Sequence, residues 1–224
     1  MNTNLTQKSI FLNGEGDSWF DRNSTLNMED RIRQDHILEE IRRLDLEPKS
    51  VVEIGCAEGW RLSEINKEYG SNCIGFDPSE KAIVTGSEIY PKIKLRVGTA
   101  DKIELSDRSV DLLIVGFCLY LCDREELFSI AKEIDRVLMN KGIIMILDFY
   151  SEVPYKNTYS HKEGIYSYKM DYSSLFTWNP IYSIVLTKIV SHSLETIVGN
   201  KDERICIASL RKSIEDAYMK KPEF

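Results

Sequence analysis

The sequence predicts a doubly wound α/β fold, in which helices cover both faces of a mostly parallel sheet. From Val51 onward, short β-branched apolar runs alternate with stretches of helical periodicity. Each apolar run is nearly continuous, which is typical of parallel strands buried on both faces. Two later strand-like runs are separated by the turn residues Gly199-Asn200-Lys201 and predict an antiparallel C-terminal pair at one sheet edge.

The predicted elements follow one another along the chain. Parallel strands are expected at residues 51–54, 73–76, 93–97, 110–115 and 143–149, and the antiparallel pair at residues 182–191 and 204–211. Helices are expected at residues 28–46 and 59–69, after the turn Asp77-Pro78-Ser79, and at residues 123–138. Asp123 is the expected N-cap of that last helix, and Asn140-Lys141-Gly142 should end it.

The composition indicates one ordinary folded protein. A chain of 224 residues suits one α/β domain, and 42% hydrophobic with 29% charged residues excludes a disordered chain. No apolar run approaches the roughly 18 residues that cross a bilayer. Residues 1–8 are polar and lack a signal region. We therefore expect a cytoplasmic protein without a membrane partner.

Charge and cysteine content narrow the partners further. The net charge of −7, without a block of Lys or Arg, argues against nucleic acid and favours a small-molecule substrate. No close His or Cys set completes a metal site around Cys118 and Cys122, so no metal is expected. All five cysteines should be reduced, mostly buried thiols. The oligomeric state cannot be predicted.

The stretch VVEIGCAEGW, residues 51–60, ends the first strand with an acid and a turn containing two glycines. A dinucleotide turn of the type G-x-G-x-x-G needs three glycines, but Ala57 and Trp60 take the second and third places here. Glu58 adds a carboxylate where a diphosphate needs a positive helix end. An NAD-dependent Rossmann oxidoreductase is therefore only an alternative hypothesis for this chain. A non-catalytic cofactor-binding subunit is a further alternative.

Five motifs along residues 51–149 carry a family resemblance: VVEIGCAEGW, CIGFDPS, GTAD, VDLLIVGF and LMNKGIIMILDF. In this order they resemble the motif series of class I S-adenosylmethionine-dependent methyltransferases. The resemblance implies a Rossmann-like, seven-stranded, mostly parallel sheet. It also implies transfer of a methyl group from S-adenosylmethionine to a small acceptor, with S-adenosylhomocysteine as the product.

The resemblance implies cofactor contacts along these motifs. Asp77 would accept hydrogen bonds from both ribose hydroxyls, since an ionised carboxylate offers only acceptors. Asp101 would accept a hydrogen bond from the adenine amine, and the neighbouring Ala100 backbone N–H would donate one to a ring nitrogen. Glu53 would orient the turn or the methionine amino group. Asp77 and Asp101 could instead be cap residues, and the glycines simple bend formers. The other expected contacts are Gly55, Cys56, Ala57, Gly59, Pro78 and Phe117.

The segment GEGDSWFDRN, residues 14–23, resembles one that precedes the sheet in methyltransferases of surface-polysaccharide and modified-sugar pathways. In that group it folds over the cofactor, so Trp19 would face the sulfonium and Arg22 would pair with the methionyl carboxylate. Phe20 and Asn23 complete the matching cluster. The alternative is an anchor, with the aromatics packed on the core and Arg22 in water. This resemblance predicts carbohydrate biosynthesis, with a sugar or nucleotide sugar as O- or N-acceptor.

The chain is expected to form one domain of five segments. These are an N-terminal arm and helix (1–46), which is a candidate lid over the cofactor, a cofactor-binding core (47–149), an irregular substrate loop (150–180), the strand pair (181–212) and a polar tail (213–224). Ligands bind beyond the carboxyl ends of the strands in such sheets, so the substrate loop should lie beside the site.

Acceptor contacts are predicted mainly in the substrate loop, where YKMDYSSLFTWNP resembles the same group of enzymes. The expected contacts are Tyr120, Tyr166, Tyr168, Asp171 and Tyr172. Their alternative role is to fill the edge of the core. A hydroxyl acceptor needs a general base, for which His161 is the first candidate and Asp148 or Tyr120 are alternatives.

Overall fold

The computed structural model describes residues 6–24, 28–193 and 199–218 and confirms the predicted fold class. Seven strands form one sheet in the order β3-β2-β1-β4-β5-β9-β8. The strands are β1 (Ser50–Ile54), β2 (Asn72–Asp77), β3 (Lys94–Val97), β4 (Val110–Gly116), β5 (Leu138–Phe149), β8 (Tyr182–Ser191) and β9 (Arg204–Lys212). The first five are parallel, and β9 and β8 are antiparallel to their neighbours.

The chain order creates a crevice in the middle of the sheet. From β1 the chain builds outward through β2 and β3, and it then returns to add β4 on the other side of β1. Helices that leave β1 and β4 in opposite directions open a crevice at the carboxyl ends of these strands. The ends of β1, β2 and β4 therefore meet at one edge.

Helices cover the two faces of the sheet. They are α1 (Gln7–Ile10), α2 (Gly16–Asn23), α3 (Met28–Arg33), α4 (His36–Arg43), α5 (Trp60–Tyr69), α6 (Glu80–Ile89), α7 (Leu127–Val137) and α8 (Ser174–Thr177). Val51 faces a core shared with α4 and α5, whereas Val52 faces a core shared with α7. Both faces are buried, which explains the continuous apolar runs. No helix within the described ranges is long and apolar enough to cross a membrane.

Two helix predictions were wrong in their bounds. Residues 28–46 form two helices, because the Asp35 side chain accepts the Leu38 backbone N–H at 2.8 Å and starts α4 anew. Asp123 does not cap α7, which begins at Leu127. Instead, its carboxylate accepts the backbone N–H groups of Gln7 and Lys8 at 3.1 and 3.0 Å. Asp123, a residue type typical of local N-caps, thus binds a segment that is distant in the sequence.

The end of α7 also differs from the prediction. The helix ends at Val137, and Leu138 already belongs to β5, so the 140–142 turn lies within the strand's bounds. The pairing register with β4 shifts there, since Val110 pairs with Leu138 but Leu112 pairs with Ile143. This bulge absorbs the turn residues.

Residues 150–180 are more regular than predicted. They contain an antiparallel pair, β6 (Tyr155–Thr158) and β7 (Tyr166–Lys169), and the short helix α8. The pair forms a separate two-stranded sheet. The predictions for the first five residues and for the tail beyond Tyr218 lie outside the described residues.

Candidate functional site

The glycine turn after β1 is shaped by close backbone approach. Gly55 has a φ of 75°, and a Cβ atom there would lie 2.8 Å from the Gly116 carbonyl oxygen. Only glycine fits this position, so the backbone stays open beside the strand ends. Glycine is required at position 59 for a different reason: a Cβ atom there would lie 2.8 Å from side-chain atoms of Ile93 and Leu95. Gly59 lines neither of the two cavities described below and serves as a bend former that packs against β3.

Asp77 ties the end of β2 to this turn. Its two carboxylate oxygens accept the backbone N–H groups of Ala57 and Ser79, each at 2.9 Å. Burial raises the pKa of Asp77 to about 6. The N-cap of α6 is Ser79 rather than Asp77, since the Ser79 hydroxyl accepts the Ala82 N–H. Each carboxylate oxygen retains a lone pair that a ligand hydroxyl can use.

A first cavity opens beside Asp77. Its floor comes from strand ends and the following loops, including Gly55, Pro78 and Ala100. Asp101 also lines it and accepts a hydrogen bond from the Lys8 ammonium at 2.9 Å. Burial alone would raise the pKa of Asp101, but hydrogen bonds from Lys8 and Thr99, together with the charge of Lys8, outweigh it and lower that pKa. The cavity therefore combines apolar walls with two acceptor carboxylates.

The N-terminal arm, residues 6–23, roofs the first cavity. It contributes Lys8, Phe11, Gly16 and Trp19 to the lining. The Gln7 side chain holds the arm in place, because its amide donates to the Leu121 carbonyl at 2.7 Å and accepts the Tyr166 N–H at 2.7 Å. Neither Lys8 nor Gln7 carried a motif signal, since both act through contacts more than 90 residues away along the chain.

A buried ion cluster lies beneath the turn. Glu53 is 1% exposed, and Arg61 donates to it and, at 2.8 Å, to Asp35. Burial raises the pKa of Glu53 to about 7, against the opposing effect of Arg61. The second oxygen, Oε2, has no hydrogen-bond partner among the described residues. Such an atom is costly unless a ligand or water satisfies it.

A second, wider cavity adjoins the first. Its volume is about 970 Å³. Both cavities share four lining residues: Trp19, Gly55, Gly116 and Phe117. Cys56 and Ala57 line the second cavity only, as do several aromatic side chains. A molecule in one cavity would therefore touch a molecule in the other at the glycine turn.

Sequence comparison finds similar proteins for part of the chain. A family profile described as a methyltransferase domain covers residues 51–142. This part of the chain, which includes β1 to β4, is thus similar to a methyltransferase domain. An uncharacterised methyltransferase of Schizosaccharomyces pombe is 30% identical over 101 residues, which are 45% of this chain and 39% of that protein. The chain thus spans well under half the length of that relative.

Solved methyltransferases share the fold beyond the domain profile. A Burkholderia thailandensis 1,6-didemethyltoxoflavin N1-methyltransferase, solved with its substrate and S-adenosylhomocysteine, is 14% identical with a TM-score of 0.67, covering 92% of this chain and 87% of that one. A Haloferax volcanii methyltransferase, in complex with the Trm112 activator, is 18% identical with a TM-score of 0.67, covering 92% and 97%. At this identity the likeness shows the class I methyltransferase fold.

The arm residues that the sequence predicts near a cofactor divide into two groups. Trp19 lines both cavities, whereas Phe20 is buried and lines only the second. Arg22 lines the second cavity, but its guanidinium already donates to Glu15 at 2.6 Å and to the Tyr159 hydroxyl at 2.9 Å. Both contacts use Nη2, so Arg22 is already paired inside the protein rather than free in water. The Asn23 side chain is bonded back to the Trp19 carbonyl at 2.8 Å.

Four predicted acceptor contacts line neither cavity, and each has a partner inside the protein. The Tyr168 and Tyr172 rings lie 4.2 and 5.7 Å from the Arg124 guanidinium, and the Tyr172 hydroxyl donates to the Tyr168 carbonyl. Asp171 accepts the Ser173 N–H at 3.0 Å. Tyr166 lies against the Lys156 ammonium. These residues build the edge of the loop, so we do not carry them into the proposed site.

The three general-base candidates differ in their position relative to the cavities and in their suitability as a base. His161 is exposed and lines the second cavity, where its ring lies 5.3 Å from that of Tyr159. Tyr120 lines the same cavity, but burial raises its pKa, which makes it a poor base. Asp148 lines neither cavity and accepts the backbone N–H groups of Leu119 and Phe149, each at 2.8 Å. Asp148 is a structural carboxylate, and the role of His161 stays a prediction.

Asp148 should make the stability of the protein depend on pH. Burial raises its pKa to about 7, whereas an unfolded aspartate titrates near 3.9. Between these values the folded state keeps a proton that the unfolded state has lost, so this contribution to stability is lost as pH rises through about 7. Glu53 and Asp77 act in the same direction. We expect Asp148→Asn to lose less stability than the wild type between pH 5 and 8.

Urea unfolding at pH 5, 6, 7 and 8 measures this difference. Between pH 5 and about 7 the loss from Asp148 is at most about 3 kcal/mol, since one pKa unit corresponds to about 1.4 kcal/mol. Asp107→Asn is the matched control, because Asp107 is exposed. Equal pH dependence in the wild type and Asp148→Asn would contradict the assignment.

Proposed function

We propose that the protein is an S-adenosylmethionine-dependent methyltransferase that acts on a small-molecule acceptor. The observation that carries the proposal is the pair of cavities that meet at Gly55, Gly116 and Phe117. One cavity offers acceptor carboxylates for a nucleoside, and the other has room for a second molecule. Transfer of a group between two bound molecules needs this juxtaposition.

The residues of the first cavity fit the cofactor. Asp77 offers acceptors for two ribose hydroxyls, and Asp101 offers an acceptor for the adenine amine. Lys8 and Thr99 both bond to Asp101, and its two carboxylate oxygens together offer further lone pairs for the ligand. Glu53 lines neither cavity, but its unpartnered Oε2 lies beneath the glycine turn and suits the methionyl ammonium. The bound cofactor supplies an electrophilic methyl group on sulfur.

The chain's own contribution is binding, orientation and exclusion of water. The arm covers the first cavity through Phe11 and Trp19. Phe117 and Gly116 form the boundary across which the acceptor approaches. Enzymes gain much of their rate in such displacements by holding the reacting atoms in line. The Burkholderia enzyme, which was solved with S-adenosylhomocysteine, supports this choice of cofactor.

Isothermal titration with S-adenosylhomocysteine and with NAD tests the proposal. We expect the first to bind and the second not to bind. Binding of NAD alone would favour the oxidoreductase hypothesis. Transfer of a labelled methyl group into a cell extract then separates an enzyme from a non-catalytic subunit, because only the enzyme gives a methylated product. The product also shows whether a sugar is the acceptor.

Loosening the arm should weaken cofactor binding. We expect Gln7→Ala to lower the affinity for S-adenosylhomocysteine about 5-fold, because a buried carbonyl and N–H group lose their partner at a cost of about 1 kcal/mol or more. Deletion of residues 1–23 should have a larger effect, since it removes four lining residues. Titration calorimetry measures both.

Ser18→Ala is the control for the arm, because Ser18 is exposed and bonds only to the nearby Gly14 carbonyl. A folded deletion variant with wild-type affinity would show that the arm is an anchor and not part of the cofactor site. Circular dichroism checks the fold of each variant.

A further inference from the structure

We propose that the methyl acceptor is a planar aromatic compound that stacks in the second cavity, rather than a sugar or nucleotide sugar. The inference rests on the proposed function, since it names the molecule received by the same site. Two properties of the cavity carry it: its aromatic surface and the pairing of its charges.

Four rings form a continuous wall, which we call the aromatic wall: Phe117, Tyr120, Phe149 and His192. The Phe149 ring centroid lies 5.6 Å from that of Phe117, 5.0 Å from that of Tyr120 and 5.2 Å from that of His192. The wall begins at Phe117, which also lines the first cavity. A flat ring lying on this wall thus reaches the boundary between the cavities.

A second aromatic group lines the same cavity and consists of Trp19, Tyr159 and His161. The rings of Tyr159 and His161 lie 5.3 Å apart, nearly perpendicular to each other. Offset-stacked and edge-to-face contacts at such distances favour aromatic partners beyond their buried area. The cavity therefore offers ring contacts from two groups of side chains.

The charges of the cavity do not favour a diphosphate. Each arginine in the described part of its lining already has a carboxylate partner. Arg22 pairs with Glu15, Arg31 with Glu58, Arg33 with Asp30, and Arg61 with Asp35 and Glu53. No lysine lines the cavity within the described residues. Phosphate recognition relies on Arg or Lys donors, and a phosphate at these arginines would meet a carboxylate already paired with each guanidinium.

The affinities of six compounds test the proposal, each with and without saturating S-adenosylhomocysteine. The planar compounds are caffeic acid, quercetin and 8-hydroxyquinoline, and the others are UDP-glucose, UDP-galactose and methyl α-D-glucoside. We expect at least one planar compound to bind more tightly than all three sugars in titration calorimetry. Tighter binding of a sugar, or binding of none of the planar compounds, would overturn the proposal.

Substitution of the wall provides the second readout. Phe149→Leu keeps an apolar side chain but removes the ring, so we expect about 10-fold weaker binding of the planar compound. Phe128→Leu is the matched control, since Phe128 is 79% exposed on α7 and lines neither cavity. Equal effects of the two substitutions would also overturn the proposal. Failure of S-adenosylhomocysteine to bind would instead refute the proposed function, which is a separate outcome.

Discussion

Replacement of Asp77 by alanine is expected to lower the affinity for S-adenosylhomocysteine about 100-fold, because two hydrogen bonds to a charged group are lost at about 1.5 kcal/mol or more each. The substitution acts in two ways. It removes the acceptors for the ribose hydroxyls, and it leaves the Ala57 N–H of the glycine turn without its partner. The ligand and the glycine turn therefore both lose their hydrogen-bond acceptor. Titration calorimetry at pH 8 measures the change with the carboxylate ionised.

Two further variants make this test specific. Asp77→Asn keeps the shape but replaces one acceptor by a donor, so its affinity should fall between those of the wild type and Asp77→Ala. Asp107→Ala removes an exposed carboxylate and should bind like the wild type. A folded Asp77→Ala protein with unchanged affinity would remove Asp77 from the site.

Gly86→Ala should give the largest loss of stability from a single added methyl group. Gly86 lies in α6, and a Cβ atom there would lie 2.1 Å from the Glu58 carbonyl oxygen. Alanine favours a helix over glycine by about 1 kcal/mol. Overpacking against a rigid backbone costs about 3 kcal/mol or more. We therefore expect net destabilisation of about 2 kcal/mol or more, measured by urea unfolding.

Gly199→Ala is the control for this prediction. A Cβ atom at Gly199 meets nothing within 4 Å, so the substitution should be nearly neutral. A Gly86→Ala protein as stable as the wild type would mean that α6 can move away from the glycine turn. The close approach of helix and turn would then not be required by the fold.

The fold could be predicted because its signals are local. The runs around Val52 and Leu113 are continuous since both faces of each strand are buried, and the antiparallel pair was marked by turn residues. Helix bounds were less predictable. Asp35 and Asp123 are both good cap residues, but only the contact partner decides which helix each one caps.

The first cavity was better predicted than the second for a related reason. Asp77, Pro78, Ala100 and Asp101 directly follow strands or lie in adjoining loops, so chain order places them at the carboxyl edge. Lys8 reaches the same cavity from the first part of the arm, which matches no motif. Arg61 could have been found as a charge on the apolar side of α5, but its two carboxylate partners come from different elements.

The acceptor side shows the limit of reasoning from residue type. Tyrosines suit both ligand contacts and core edges. In residues 150–180 the rings of Tyr168 and Tyr172 pack against the Arg124 guanidinium instead of a ligand cavity. His192 has no role in any of the sequence predictions, yet it lies in the aromatic wall. Its place depends on the pairing of β8 with β9, which brings the end of β8 next to Phe149 on β5.

The arm's attachment has a thermodynamic consequence. Gln7 joins the arm to Leu121 and to Tyr166 of β7, and Asp123 holds the first backbone N–H groups of α1. Displacement of the arm from the first cavity breaks contacts with both the 119–126 turns and the β6–β7 hairpin. Any ligand that favours the closed arm then favours the ordered hairpin as well. By reciprocity, donor and acceptor should each raise the affinity for the other to the same extent, which makes this short helix a coupling element between two binding equilibria.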